Sequence, residues 1–319
     1  MQARDFLLIG GSGFLGSHVA HRLAAQGHRI TVPTRRRERA RHLLVLPTVE
    51  VVETDVHDAA ALAALVAGRD AVINLVGVLH SRYGLPWGPD FARAHVELPQ
   101  KIAAACARAG VRRLIHVSAL NADPKGPSQY LRSKGEGEAI LRAAGAALDL
   151  TLFRPSVIFG PEDAFLNLFA RLQRVAPVMP LGNPQARFQP VYVGDVAQAI
   201  VASLGRRDAF GEAYCCCGPQ VYTLEELVRY AGELAGCRRP VIRLPEALAR
   251  LQAGVLELLP NPLLSVDNLD SMDVDSVCPG RAPLPFGLRP TPLEAIAPAY
   301  LGGGTQRQAN YGRRVKAHR

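Results

Sequence analysis

Phe6-Leu7-Leu8-Ile9-Gly10-Gly11-Ser12-Gly13-Phe14-Leu15-Gly16-Ser17-His18-Val19 decides the fold of this chain. The apolar run opens as a buried parallel strand does, glycines follow where a tight turn is needed, and a helical pattern continues through Val19, Ala20 and Leu23. In such a strand, turn and helix, Gly10 or Gly11 takes a positive φ. Gly13 has no Cβ to keep the backbone from a pyrophosphate, and Gly16 lets helix and strand pack closely. The first helical N–H groups, with Phe14 and Leu15 in the opening turn, and the positive dipole end then face the phosphates. The spacing satisfies both G-x-G-x-x-G, at positions 11, 13 and 16, and G-x-x-G-x-x-G, at 10, 13 and 16. A glycine-rich turn after any strand can match either form. This one lies on the first strand, where a nucleotide-binding half begins.

The rest of the chain suits that beginning. Its 319 residues are long enough for about two domains and a sizeable core. With 48% hydrophobic and 20% charged residues, the composition is that of a folded protein, not a disordered one. Arg4 and Asp5 precede only a short apolar run, so no secretory leader is expected, and no apolar stretch reaches the roughly 18 residues of a spanning helix. A cytoplasmic location, or one peripheral to the inner membrane, follows as the expectation. Cys215-Cys216-Cys217 fits neither a disulfide framework nor a C-x-x-C metal or redox pattern, so small apolar strand residues and no metal are expected. The net charge of +9 gathers at Arg35, Arg36, Arg37, Arg39 and Arg41 and in the tail from Arg307 to Arg319. No recognised nucleic-acid module or aromatic interleaving accompanies either cluster, so no nucleic-acid partner is expected.

Strands alternating with helical segments predict an α/β protein, a doubly wound parallel Rossmann sheet with right-handed crossovers. Residues 29–34 read as the second strand. About 20 residues past a glycine turn, NAD sites carry an acid for the ribose 2′-hydroxyl, whereas NADP sites use arginine for a 2′-phosphate. Thr34, Arg35 and Arg36 stand there without an acid, which favours NADP(H) over NAD(H). Residues 50–56 read as a third strand whose end, Asp55-Val56, touches the adenine edge. Residues 70–77 read as a fourth, with Leu75, Val76 and Gly77 passing close to the dinucleotide. A loop over 83–89 leads to helical periodicity over 90–109, and residues 111–118 make a fifth strand in which His116 reads as a packed residue.

Ser118 ends that strand, and Tyr130-Leu131-Arg132-Ser133-Lys134 follows a Pro/Gly loop. Tyrosine and lysine four apart share a helix face, so the ammonium favours the ionised phenol. A phenol tuned this way gives or takes a proton at a carbonyl or hydroxyl while a nicotinamide exchanges hydride, and the lysine also bonds ribose. On an arbitrary helix the pair means little; after a fifth Rossmann strand ending in serine it is specific.

The order Gly10 to Gly16, Ser118, Tyr130, Lys134, Arg154-Pro155 resembles the short-chain dehydrogenase/reductase superfamily in its extended or atypical branch. Ser118-Ala119-Leu120-Asn121-Ala122, the stretch from Tyr130 to Glu138 and that from Arg154 to Asp163 are similar to the Rossmann accessory subunit of respiratory complex I and its bacterial relatives. The resemblance covers about residues 5–300. It implies a bound NADPH, Tyr130, Lys134 and Ser118 as the catalytic group, and Pro155 and Val157 at the nicotinamide end. It implies either an oxidoreductase acting on an apolar carbonyl or quinone-like small molecule, or a cofactor-stabilised support protein for a respiratory or quinone-synthesis complex. A sugar-nucleotide epimerase or dehydratase is the alternative. One departure stands out: catalytic members carry a hydroxyl just beyond the fifth strand, whereas Ala119 and Leu120 follow Ser118 here, leaving Ser118 itself or Ser128 to serve.

The expected domains are 1–160, with residues of about 185–205 returning to it, a lobe over 161–304 for substrate or partner, and a basic tail over 305–319. Asp195 reads as a helix cap, and Thr223 with Glu226 as a capping box. Leu248, Leu251, Val255 and Leu258 recur at helical steps before the Pro260-Asn261-Pro262 break. A lobe helix burying this stripe is the plain reading; a greasy substrate mouth or a face for membrane or partner is the other. The basic tail adds attraction to anionic lipid.

Overall fold

The apolar run at the start forms β1 (Asp5–Ile9), buried on both faces as expected for a central parallel strand. The computed structural model describes residues 4–259, 262–280 and 284–302; Pro260 and Asn261 of the expected break, and the tail from 305, lie outside them. β2 (Arg29–Thr34), β3 (Val49–Glu53), β4 (Ala71–Asn74), β5 (Arg113–Val117), β6 (Asp149–Pro155) and β7 (Ala213–Cys216) join β1 in one parallel sheet of order 7-6-5-4-1-2-3. The order reverses between β1 and β4, and the crevice beyond the carboxyl ends there is the ligand position of such sheets. Two strands end earlier than their apolar patterns suggest. Asp55-Val56 lies beyond β3, and Leu75, Val76 and Gly77 lie beyond β4, so these residues line loops at the crevice instead of continuing the ladder.

Two units make up the chain. The first comprises residues 1–156, 193–216 and 278–289. On one face of its sheet Leu7, Ile9, Val72, Leu114, Leu150 and Leu152 pack with Leu98 and Ile102 of the helix Leu98–Ala109 and Leu141 of the helix Gln129–Ala143. Side chains alternate along a strand, so Asn74, His116 and Arg154 share that face at the carboxyl ends of β4, β5 and β6. The helices Phe14–Ala25 and Val193–Ser203 pack against one another in the same unit. Asp195 is the third residue of the latter helix, not its cap.

The second unit comprises residues 157–192, 217–277 and 290–319. Its core joins Phe159, Phe188, Leu227 and Val228 with the helices Leu166–Val175, Leu224–Leu234 and Leu293–Leu301. Thr223 and Glu226 form the expected capping box. The leucine stripe is a correction. In the helix Glu246–Glu257 it is Ala249 and Ala253 that are buried, while Leu248, Leu251 and Val255, with Leu258 beyond the helix, are 52–85% exposed. Ala249 faces Gly182 so closely that a Cβ there would lie 2.7 Å from it, and only a small-residue face fits such an approach. The cysteine triple also departs from expectation: Cys215 and Cys216 are free, but Cys217 is disulfide-bonded. Among the described residues no helix is long and apolar enough to cross a membrane.

Candidate active site

The turn after β1 has the geometry its glycines suggest. Gly10 takes φ +82°, and the Gly13 N–H donates to the Gly10 carbonyl at 3.1 Å. Gly13 is the N-cap of the helix Phe14–Ala25 and no side chain caps that end, so its first N–H groups point into the crevice without a protein partner of that kind. A Cβ on Gly13 would meet only the Gly10 carbonyl, at 3.3 Å. Space for a pyrophosphate is therefore kept open where the helix dipole favours it.

Beyond β2, Arg35 and Arg36 are exposed, and no acid occupies Thr34 or either position after it. Arg37 is exposed as well, its guanidinium donating to the Val51 carbonyl at 3.1 Å. The segment Arg37–Leu43 is pinned to the glycine turn through Ser17. That hydroxyl donates to the Gly13 carbonyl at 2.8 Å and so accepts from His42 Nε2 at 2.7 Å. Asp55 accepts from the His57 N–H at 3.0 Å and from Arg93 at 2.8 Å. These bonds, led by that from His57, hold its carboxyl below the ordinary value. Val56 is half-buried beside it.

The helix Gln129–Ala143 carries the tyrosine and lysine. Ser128 caps it, its buried hydroxyl accepting from the Leu131 N–H at 3.1 Å. Tyr130 is half-buried; Lys134 is fully buried. The Lys134 ammonium donates to the Val117 carbonyl at 3.3 Å and the Val76 carbonyl at 3.4 Å, both long bonds. Burial lowers its pKa to about 8, against the opposing charge of Glu138. Glu138, itself buried, is held by a two-pronged pair with Arg154 of β6, one prong at 2.8 Å. The lysine is thus kept near the end of β4, where Gly77 brings backbone close: a Cβ there would lie 3.1 Å from Nζ.

Two buried polar atoms on this face have no hydrogen-bond partner among the described residues: Ser118 Oγ and His116 Nε2. The Val76 N–H donates to Asn74 Oδ1 at 3.2 Å, so the Asn74 amide donates to His116 Nδ1 at 3.0 Å and the His116 proton is on Nε2. Burial pushes the His116 pKa down to about 3, so it is a neutral packed residue. Ser118 Oγ is an unclaimed hydroxyl; Ala119 and Leu120 after it are buried and apolar. Pro155 ends β6, and Val157 is the first residue of the second unit. Sequence reading passed over Asn74, His95, Ser133 and Glu138. Of these only Asn74, an amide at the end of the apolar run of β4, carried a signal.

One loop adds chemistry of another kind. The Gly84 N–H donates to the Gln129 side chain at 3.3 Å, and Arg132 donates to the carbonyls of Pro86, Gly126 and Pro127 at 2.9–3.2 Å. Tied to the tyrosine helix in this way, the loop nevertheless presents Leu79, Tyr83 and Leu85 to solvent, 55–78% exposed.

The glycine turn with its open helix end and the buried lysine fit a dinucleotide, and comparison with known proteins agrees. The profile of the NAD dependent epimerase/dehydratase family matches residues 6–217. The chain is 34% identical over 296 residues to NADH dehydrogenase [ubiquinone] 1 alpha subcomplex subunit 9, mitochondrial, of Mus musculus, covering 90% of this chain and 77% of that one. It is 33% identical over 262 residues to the ceramide reductase of Caulobacter vibrioides, covering 78% and 76%. Among solved structures, MoeE5 in complex with UDP-glucuronic acid and NAD superposes with a TM-score of 0.64 at 22% identity, over 75% of this chain and 85% of that one. The UDP-glucuronic acid 4-epimerase of Bacillus cereus gives 0.64 at 17%, over 84% and 99%. At such identities these two speak for the fold alone.

Proposed function

The chain belongs to the NAD dependent epimerase/dehydratase family, and from that premise we propose that it binds NADP(H) and reduces an apolar carbonyl or quinone-like substrate. The observation that carries this reading is the Lys134 ammonium, buried against the Val76 and Val117 carbonyls one helical turn from Tyr130. A cation placed at such cost beside a half-buried phenol serves a proton transfer better than it serves stability. In this reading the nicotinamide supplies hydride when bound. Tyr130 gives the proton to the substrate oxygen, Lys134 lowers the phenol's affinity for that proton and bonds ribose, and Ser118 Oγ holds the substrate oxygen. Gly10, Gly13, Phe14, Leu15 and Gly16 cradle the pyrophosphate; Asp55 and Val56 meet the adenine; Leu75, Val76 and Gly77 pass beside the ribose, and Pro155 and Val157 meet the nicotinamide. Leu79, Tyr83 and Leu85 favour an apolar substrate over a sugar nucleotide, as does likeness to a ceramide reductase.

Arg35 and Arg36 take the 2′-phosphate in this proposal. Arg35→Asp should weaken NADPH roughly ten- to hundredfold, the worth of one charge-assisted bond, and leave NADH within a few-fold. Equal losses in titrations with the two nucleotides would remove the arginine from cofactor selection.

A second reading has its own support. The buried Ala119 and Leu120 offer no hydroxyl beyond Ser118, and the mouse relative is a subunit of an NADH dehydrogenase. In that reading NADPH stabilises a support protein for a respiratory or quinone-synthesis complex, with contact to the inner-membrane surface. Denaturing protein purified without added nucleotide, identifying the released dinucleotide, and following reduced-nicotinamide fluorescence as quinones, alkyl ketones and sugar nucleotides are added separates the readings. Oxidation by quinones or ketones, lost in Tyr130→Phe with cofactor affinity kept, supports the reductase. Retained NADPH that none of these compounds oxidises favours the support protein, and oxidation by sugar nucleotides alone the epimerase.

A further inference from the structure

His95 lies in the π-helical turn Ala92–Glu97 and is buried. Both ring nitrogens are engaged. The Val78 backbone N–H donates to Nε2 at 3.0 Å, and Nδ1 is 2.9 Å from Ser133 Oγ. The Ser133 hydroxyl spends its single proton on the Tyr130 carbonyl, at 2.8 Å, so toward His95 it can only accept. One tautomer satisfies all three bonds: the proton on Nδ1, the lone pair of Nε2 facing Val78. Burial, and then the charge of Lys134, hold the ring well below the ordinary histidine value, so it stays neutral. Phe91 stacks on one face at 5.4 Å and Tyr130 meets the ring edge-on at 5.6 Å. The His95 carbonyl lies against Gly137, where any Cβ would collide with it.

The bonds therefore run from the segment after β4 to the backbone of Tyr130. Val78 is the neighbour of Gly77, and the remaining polar link between this segment and the lysine, Lys134 to the Val76 carbonyl, is long at 3.4 Å. A π-helical turn is rare and is frequently found at functional sites. We propose that His95 is a positioning residue: through Val78 on one side and Ser133 on the other, it fixes the cofactor-facing segment 76–78 against the Tyr130 and Lys134 helix. The inference rests on NADP(H) binding beside Leu75, Val76 and Gly77. His95 touches no reacting atom; it acts through the residues it ties together.

His95→Phe keeps ring volume and stacking and loses both bonds, while Ser133→Ala cuts only the link to Tyr130. NADPH affinity, read by fluorescence titration, should fall about tenfold in His95→Phe and about fivefold in Ser133→Ala, the usual worth of one or two net hydrogen bonds. The double variant should bind no more weakly than His95→Phe alone, because both changes break one chain. His95→Gln, whose amide oxygen can take the Val78 bond, should recover most of the loss. Unchanged affinity, additive losses, or a fall in the melting temperature of the nucleotide-free protein without a change in affinity would overturn the proposal. Wild-type protein that binds no dinucleotide would overturn the cofactor reading as well, whereas wild-type binding with indifferent variants would overturn the positioning role alone. Should His95→Phe fail to fold, Ser133→Ala decides.

Discussion

Gly16→Ala is expected to lower stability by about 3 kcal/mol or more, a fall of roughly 6 °C or more in Tm, and to abolish dinucleotide binding. The new Cβ would lie 2.6 Å from Gly11 Cα and 2.7 Å from the Gly11 carbonyl carbon, and closer still to the Gly10 carbonyl oxygen. All three are backbone atoms, so no rotamer change relieves the clash. Helix and strand must part, and the N–H groups aimed at the pyrophosphate move with them. Gly13→Ala is the informative control. Its Cβ meets only the Gly10 carbonyl, at 3.3 Å, so the fold should hold within about 1 kcal/mol while the group standing in the phosphate position blocks the cofactor. Thermal melts of the two variants, each with and without NADPH, test the pair. An unshifted Tm in Gly16→Ala would show that the turn does not carry that close approach. Normal NADPH binding in Gly13→Ala would place the pyrophosphate elsewhere.

That turn was legible in the sequence because its requirements are local: a positive φ, left to Gly10 or Gly11 by the sequence and taken by Gly10, and a close approach at Gly16 exclude other residues. The alternation of strands and helices was legible for the same reason. Where each strand stops was not. Leu75 and Val76 continue the apolar pattern of β4, yet the ladder ends at Asn74, because pairing depends on a neighbour far along the chain. Periodicity likewise showed that Glu246–Glu257 is amphipathic without showing which face meets a neighbour. The small Ala249 and Ala253 side chains fit beside Gly182, and the leucines face out. His95 was invisible for a related reason. Its partners are a backbone N–H seventeen residues before it and a serine hydroxyl thirty-eight residues after it, and no spacing rule reports such bonds. Tyr130 and Lys134, four apart on one helix, were readable; the buried Glu138 and Arg154 pair behind the lysine was not.

Lys134→Met should stabilise the nucleotide-free protein at pH 7 while destroying turnover. The fall of the lysine's pKa from 10.5 to about 8 corresponds to roughly 3 kcal/mol against the charged form in the folded state. Its two long bonds to the Val76 and Val117 carbonyls return part of that, so a net gain of about 1–2 kcal/mol on replacement by a similarly shaped apolar side chain is expected. The sign with pH follows from proton counting. Between pH 8 and 10.5 the unfolded chain keeps a proton that the folded chain releases, so this group makes wild-type stability rise with pH across that window. The methionine variant lacks that rise, and its advantage over wild type should shrink toward pH 10.5. Function moves the other way. Without the ammonium the Tyr130 phenol returns toward its ordinary proton affinity and ribose loses a donor, so turnover should fall about 10²- to 10⁴-fold and NADPH binding should weaken. Wild-type turnover should itself decline as pH rises through about 8, where Lys134 gives up its charge. Melting curves of both proteins from pH 6 to 10.5 test the first half. A variant less stable than wild type at pH 7 would mean that the buried charge carries no penalty. Turnover surviving in Lys134→Met would mean that Tyr130 transfers its proton without the neighbour on which the reductase reading depends.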